Sequence, residues 1–148
     1  MGIVLLFTRI FVAAVLALTT DAAAVELRHI TVRTGTDGLT PVTFTVSNAG
    51  IEPIACHADI AHWYSLELAK AAPGAVLDIE LWFDPETGTY AALNDKGENL
   101  PVERLWCGMD GRAYATRALI SLDRRAEKLP AAERAVRCVE NGGRLSCQ

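Results

Sequence analysis

The residues able to do chemistry in this chain are few, and the most informative are Cys56, Cys107, Cys138 and Cys147. None forms the C-x-x-C pair by which a zinc knuckle gathers thiolates, so the even count reads as two disulfides. Cys138 and Cys147 flank Asn141-Gly142-Gly143, which places them on opposite arms of a hairpin. With Gly142-Gly143 as a two-residue loop, Asn141 faces Arg144, Glu140 faces Leu145, Val139 faces Ser146 and Cys138 faces Cys147. Counted out from that loop, the last pair is non-hydrogen-bonded, with Cα atoms roughly 4.5 Å apart and within disulfide reach. A turn at Asn141-Gly142, well suited to type I′, would instead set Leu145 opposite Cys138 and misalign the thiols. Cys56 and Cys107 are then left to pair across the main domain.

The other concentration of reactive groups is Cys56-His57-x-Asp59-x-x-His62-Trp63. Imidazoles with a carboxylate suit copper or zinc. On a strand, however, His57 and Asp59 share one face and His62 takes the other, whereas a helix joins Asp59 with His62. Neither geometry gathers three ligands. Met109 is the one methionine beyond the first residue, too few for a thioether-rich copper(I) carrier. His57, Asp59 and His62 therefore form a copper or zinc site only as an alternative reading, and no cofactor is expected. Ser47, Ser65, Ser121 and Ser146 sit in no G-x-S-x-G elbow, and the cysteines are committed to disulfides. Asp78 and Glu80 share a strand face, where alternating charge is ordinary. The expectation is a non-enzyme.

The elements that position these groups alternate with a period of two. Val42, Phe44 and Val46 interleave with Thr43, Thr45 and Ser47, and Leu77, Ile79, Leu81 and Phe83 interleave with Asp78, Glu80 and Trp82. Both read as half-buried strands. One long strand is expected from about Pro53 to Tyr64, with a helix over Asp59 to Ala72 as its alternative. Further strands are expected at Glu26 to Thr34, Thr89 to Asn94, Leu100 to Cys107 and Arg112 to Ile120. Breaks fall at Asn48-Ala49-Gly50, Asp84 to Gly88, Asp95-Lys96-Gly97 and Gly108 to Gly111. Pro130 to Arg137 reads as a short helix with proline in its first turn.

About seven short strands punctuated by turns argue an all-β chain, an antiparallel sandwich. The phrase Val46-Ser47-Asn48-Ala49-Gly50 with Pro53, and Ala72-Pro73-Gly74 before a strand, resembles the bacterial adhesion-type and fibronectin-like Ig folds. That resemblance covers roughly residues 28 to 84 and implies an Ig-like sandwich without implying a function. The expected organisation is a signal peptide over 1–24, a sandwich over 25–120, and a helix with cystine hairpin as an appendage over 121–148.

Trp82 has the outward parity of Asp78 and Glu80, and Trp63 that of Asp59 and Glu67. An exposed tryptophan asks for a partner. Trp63, Tyr64, Trp82 and Trp106 are thus the candidate contact residues for another exported protein. A carbohydrate-binding sandwich using the same tryptophans is an alternative, and cover by the C-terminal segment is the plainest one.

At the N-terminus, Arg9, an apolar run from Ile10 to Leu18, and Ala22-Ala23-Ala24 follow the order of a cleaved secretory signal, with cleavage expected after Ala24. Ile3 to Leu18 is too short for the roughly 20 apolar residues of a membrane span and includes Arg9, so no span is expected after cleavage. The compartment implied is periplasmic or secreted. Removing 1–24 leaves 13 Lys or Arg against 17 Asp or Glu, a net negative body that disfavours nucleic acid as a partner.

Overall fold

The computed structural model describes residues 32–60, 64–125 and 130–148. The expected signal segment, His29, His62 and Trp63 lie outside the described residues. Among the described residues, no helix is long and apolar enough to cross a membrane.

The chain from Val32 to Gln148 is one compact unit, and it is mostly β. Its strands are β1 (Thr40–Asn48), β2 (Ile54–Ile60), β3 (Tyr64–Ala71), β4 (Val76–Asp84), β5 (Thr89–Leu93), β6 (Asn99–Met109), β7 (Ala118–Ile120), β8 (Glu133–Asn141) and β9 (Arg144–Cys147). A single helical turn, α1 (Ala113–Thr116), precedes β7. They form one sheet in the order β3-β2-β6-β5-β4-β1-β8-β9, with β7 added to β6. Strand β6 is the pivot. One of its edges takes β2, while the other takes β5 along Asn99 to Val102 and then β7 along Leu105 to Cys107.

The period-two pattern decides which face is buried. Val42, Phe44 and Val46 of β1 lie opposite Leu81, Ile79 and Leu77 of β4, and all six are buried. Tyr90 on β5 fits between Phe44 and Phe83, with ring centroids 6.2 and 5.0 Å away. Its hydroxyl donates to the Asp123 carbonyl at 3.0 Å, which satisfies the one polar atom that ring carries inward. Ile54, Cys56 and Ala58 of β2, Leu105 and Cys107 of β6, and Val136, Cys138 and Leu145 of the C-terminal strands join the same cluster. The sheet therefore surrounds one core.

Both disulfides have the expected pairing, Cys56 with Cys107 and Cys138 with Cys147. Each joins two residues directly opposite one another across antiparallel strands. The hairpin register is the one read from the sequence, with Asn141 opposite Arg144. Gly142 and Gly143 hold φ of 58° and 78°, the two positive angles that a type I′ loop requires.

Three local expectations are corrected. The short helix over Pro130 to Arg137 does not form: Glu133 onward is β8, parallel to β1, with Val136 opposite Val46 and Cys138 opposite Asn48. Local Ala, Glu and Arg content favours helix, but pairing with β1 buries Val136 and Cys138, and such tertiary burial overrides a weak propensity. The sheet is for that reason not wholly antiparallel. The long strand from Pro53 is two strands, Ile54–Ile60 paired with Tyr64–Ala71, and the segment from Arg112 to Ile120 is α1 followed by the short β7. Among the described residues nine strands stand where about seven were expected.

One buried polar residue ties several of these turns together. Asn48 is 1% exposed, and its Nδ2 donates to the Glu52 carbonyl at 2.8 Å and to the Ala71 carbonyl at 3.2 Å. Its Oδ1 accepts from the Gly50 N–H at 3.0 Å. Asn48→Ala should lower unfolding stability by about 1–3 kcal/mol, because those backbone groups lose a buried partner. Urea denaturation of the two proteins measures it, and a loss well below that range would show that the amide is replaceable.

Candidate functional site

The outward face where β2 meets β6 carries the densest set of interacting side chains. Ala58 and Leu105 point into the core, so their neighbours His57, Asp59, Arg104 and Trp106 must point away from it. Register sets His57 opposite Trp106 and Asp59 opposite Arg104. The His57 ring stacks on Trp106 with centroids 4.4 Å apart and planes 16° apart. Trp106 Nε1 donates to Asp59 Oδ1 at 2.8 Å, and Arg104 Nε reaches Asp59 Oδ2 at 2.8 Å. Both carboxylate oxygens are thereby engaged.

Trp106 is only 3% exposed, because α1 and β7 fold over it. Gly108 permits that approach: a Cβ there would lie 2.0 Å from the Ala113 carbonyl oxygen, so only a glycine lets α1 rest on β6. Thr116 then anchors the turn. Its hydroxyl accepts from the Met109 N–H at 2.9 Å and donates to the Arg112 carbonyl at 3.1 Å. An ion pair of Arg112 with Glu52 at 2.6 Å holds the start of the turn.

Two large apolar side chains stand out from this base. Tyr114 meets Trp106 edge to face at 6.2 Å yet remains 68% exposed. Leu119, opposite Trp106 across β6 and β7, is 59% exposed. The Arg117 guanidinium lies 4.0 Å from the Tyr114 ring centroid and donates to the Tyr114 carbonyl at 2.8 Å. Among the described residues it has no carboxylate partner. Beside Leu119 runs an open groove of about 350 Å³, lined by Glu103, Arg104, Leu119, Leu122 and Arg124 among others. Arg124 is fixed there by donating to the carbonyls of Val102 and Glu103 at 2.8 and 2.7 Å. Arg117 thus flanks the exposed Tyr114, while Arg104, already paired with Asp59, and Arg124 line the groove beside Leu119 together with Glu103.

The sequence-based contact residues are not gathered into one patch. Trp106 is the buried base of the face rather than its surface. Trp82 is half-buried on the outer face of β4, beside Pro41 and Ala91. Tyr64, 49% exposed, starts β3 on the parity of Ile60, which is the core side. Trp63 lies outside the described residues. Sequence reasoning missed Tyr114, Arg117 and Leu119, whose available signal was the outward parity of Trp106 between Leu105 and Cys107.

The alternative metal set fares differently for each member. Asp59 is committed to Trp106 and Arg104, the His57 Nε2 is buried without a hydrogen-bond partner, and His62 lies outside the described residues. Among the described residues, the one cluster of three donor atoms is the sulfurs of Cys107, Cys138 and Cys147, all in disulfides.

Desolvation holds the His57 imidazole below its ordinary value of 6.5, with Lys70 acting in the same direction and Glu67, Asp59 and Asp110 opposing. The unfolded chain therefore binds a proton at His57 before the folded one does. The stability this group contributes is complete above pH 6.5 and is lost as pH falls through 6.5 toward the folded value. His57→Phe keeps a ring on Trp106 and removes the titration. Unfolding free energy plotted against pH should fall less steeply on acidification for the variant, and identical slopes would contradict the assignment.

No family model, no curated protein and no solved structure matches this chain.

Proposed function

We propose that the chain is an exported, non-enzymatic accessory domain that binds another protein through the face made by Tyr114, Arg117 and Leu119. The observation that carries this reading is the exposure of a tyrosine and a leucine on a rigid base, Trp106, with guanidiniums around them. Protein interfaces concentrate tyrosine and arginine in this manner, because aromatic rings contribute large contact area at small conformational cost. The occupant is an acidic segment of the partner. The chain as a whole is net negative, so a face flanked by Arg117, with Arg104 and Arg124 in the groove beside it, distinguishes acidic partners from the bulk of its own surface.

The nine strands are read as an Ig-like sandwich scaffold, which supplies the rigid outer face. Two disulfides fit an oxidising, non-cytoplasmic compartment. With the Arg9, apolar run and Ala-rich order at the N-terminus, this supports export to the periplasm or beyond.

A photocrosslinking amino acid at position 119, compared with one at the equally exposed Val76, tests the reading in the producing cell. The expected result is one adduct at 119, with an acidic exported protein, that is lost when Arg117→Glu is added. Equal adducts at both positions, or none at 119, would overturn it.

A further inference from the structure

Two disulfides whose cysteines lie in separate parts of the sequence come together in the fold. Cys56 is bonded to Cys107 and Cys138 to Cys147, and the sulfurs of Cys107, Cys138 and Cys147 all lie within 4.8 Å of one another. The β2–β6 disulfide and the β8–β9 disulfide are therefore neighbours. Cys56, Cys107 and Cys138 are fully buried, whereas Cys147 is half-buried. Of the four residues, only Cys147 is not fully buried, so a reagent from solvent meets that end of the pair first.

Disulfide exchange proceeds by attack of a thiolate on a disulfide sulfur. A thiolate released beside a second disulfide is a nucleophile already held at its target, which raises its effective concentration far above that of any solute thiol. We infer that the two disulfides form a single exchange unit, in which an external dithiol reacts at Cys147 and the electron pair passes inward to the Cys56–Cys107 bond.

The steps balance. One sulfur of the dithiol, as thiolate, attacks Cys147 Sγ; a mixed disulfide forms, the Cys138–Cys147 bond breaks and Cys138 leaves as thiolate. Cys138 then attacks Cys107 Sγ, forming Cys107–Cys138 and releasing Cys56 as thiolate. The second sulfur of the dithiol attacks its own partner in the mixed disulfide and frees Cys147. The dithiol is oxidised to a disulfide, one protein disulfide is reduced, and the two protons of the dithiol end on Cys56 and Cys147. Run backward, the same steps oxidise the buried pair from the surface. The chemistry fits a dithiol–disulfide catalyst of the exported compartment, acting on a bond that it cannot touch directly.

Two measurements test this. In Cys147→Ser, Cys138 is left as a lone thiol beside Cys107; after incubation at mildly alkaline pH, acid quench and non-reducing peptide mapping, the expected finding is Cys107 joined to Cys138 with Cys56 free. Cys56–Cys107 intact, with Cys138 alone alkylated, would overturn the proposal. The second measurement uses the unaltered disulfides and does not depend on that variant folding. Dithiothreitol is added to the native protein, and loss of the Cys56–Cys107 bond is timed against the same bond in Cys138→Ser with Cys147→Ser. Each loss is compared with that protein's own rate of global unfolding: it should outrun unfolding in the native protein and equal it in the variant, and a native loss no faster than native unfolding would refute the relay.

Discussion

Replacing Cys56 and Cys107 together by alanine should remove about 4 kcal/mol of stability, because the bridge closes a loop of 51 residues and restrains the unfolded chain accordingly. Cys138 and Cys147 are 9 residues apart, and the same reasoning gives about 3 kcal/mol. A domain of this kind has only about 5–15 kcal/mol in total. Neither loss is peripheral. Strand β8 lies within the sheet order between β1 and β9, and Cys138 is buried opposite Asn48. Removing the C-terminal bridge should therefore lower the melting temperature of the whole domain rather than release a tail. Differential scanning calorimetry of the two double variants measures this; a C-terminal variant that melts with the parent would contradict the integration of β8 and β9 into the core.

The other large effect is expected at Trp106. Trp106→Ala should cost about 3–5 kcal/mol, as for other large aromatic truncations in a core. It removes the surface on which His57 stacks and the donor to Asp59 Oδ1. Trp106→Phe keeps a ring but not the Nε1 donor, and should cost about 1–3 kcal/mol by leaving a buried carboxylate oxygen unpartnered. Guanidinium denaturation of the three proteins should give the order wild type, Phe, Ala. Equal stability of the Phe and Ala variants would show that the indole's hydrogen bond, rather than its packing, carries the site.

What was legible in the sequence was legible through period and register. Val42, Phe44 and Val46, and Leu77 to Phe83, alternate cleanly because each strand has one wet face, and the hairpin register at Cys138 followed from the one two-residue loop that aligns the two thiols. Where a segment's fate depended on a distant partner, the reading failed. Pro130 to Arg137 has the composition of a helix, and from Glu133 onward it became strand because β1 presented a free edge beside it. Trp106 has an outward parity and is nonetheless buried, since α1 and β7 return over it and only Gly108 makes room. Nothing in the spacing of Arg112 to Ile120 announced that fold-back, so Tyr114, Arg117 and Leu119 went unread. The disulfide partners were readable, but their meeting in space was not, because the contact joins the β2–β6 strand pair to the β8–β9 hairpin, which share no sequence neighbourhood.

Tyr114, Arg117 and Leu119 are proposed as the binding face, and the affinity of the purified partner for variants of that face measures how much of the binding they carry. With the partner trapped at position 119, titration calorimetry should show Tyr114→Ala and Arg117→Glu each weakening binding by about tenfold or more, in the manner of central interface residues. Their melting temperatures should stay at the wild-type value, since both side chains are exposed. Binding should also weaken with added salt, because guanidiniums would be meeting carboxylates. Unchanged affinity in both variants, with Trp82→Ala abolishing binding instead, would contradict the account and move the site to the outer face of β4.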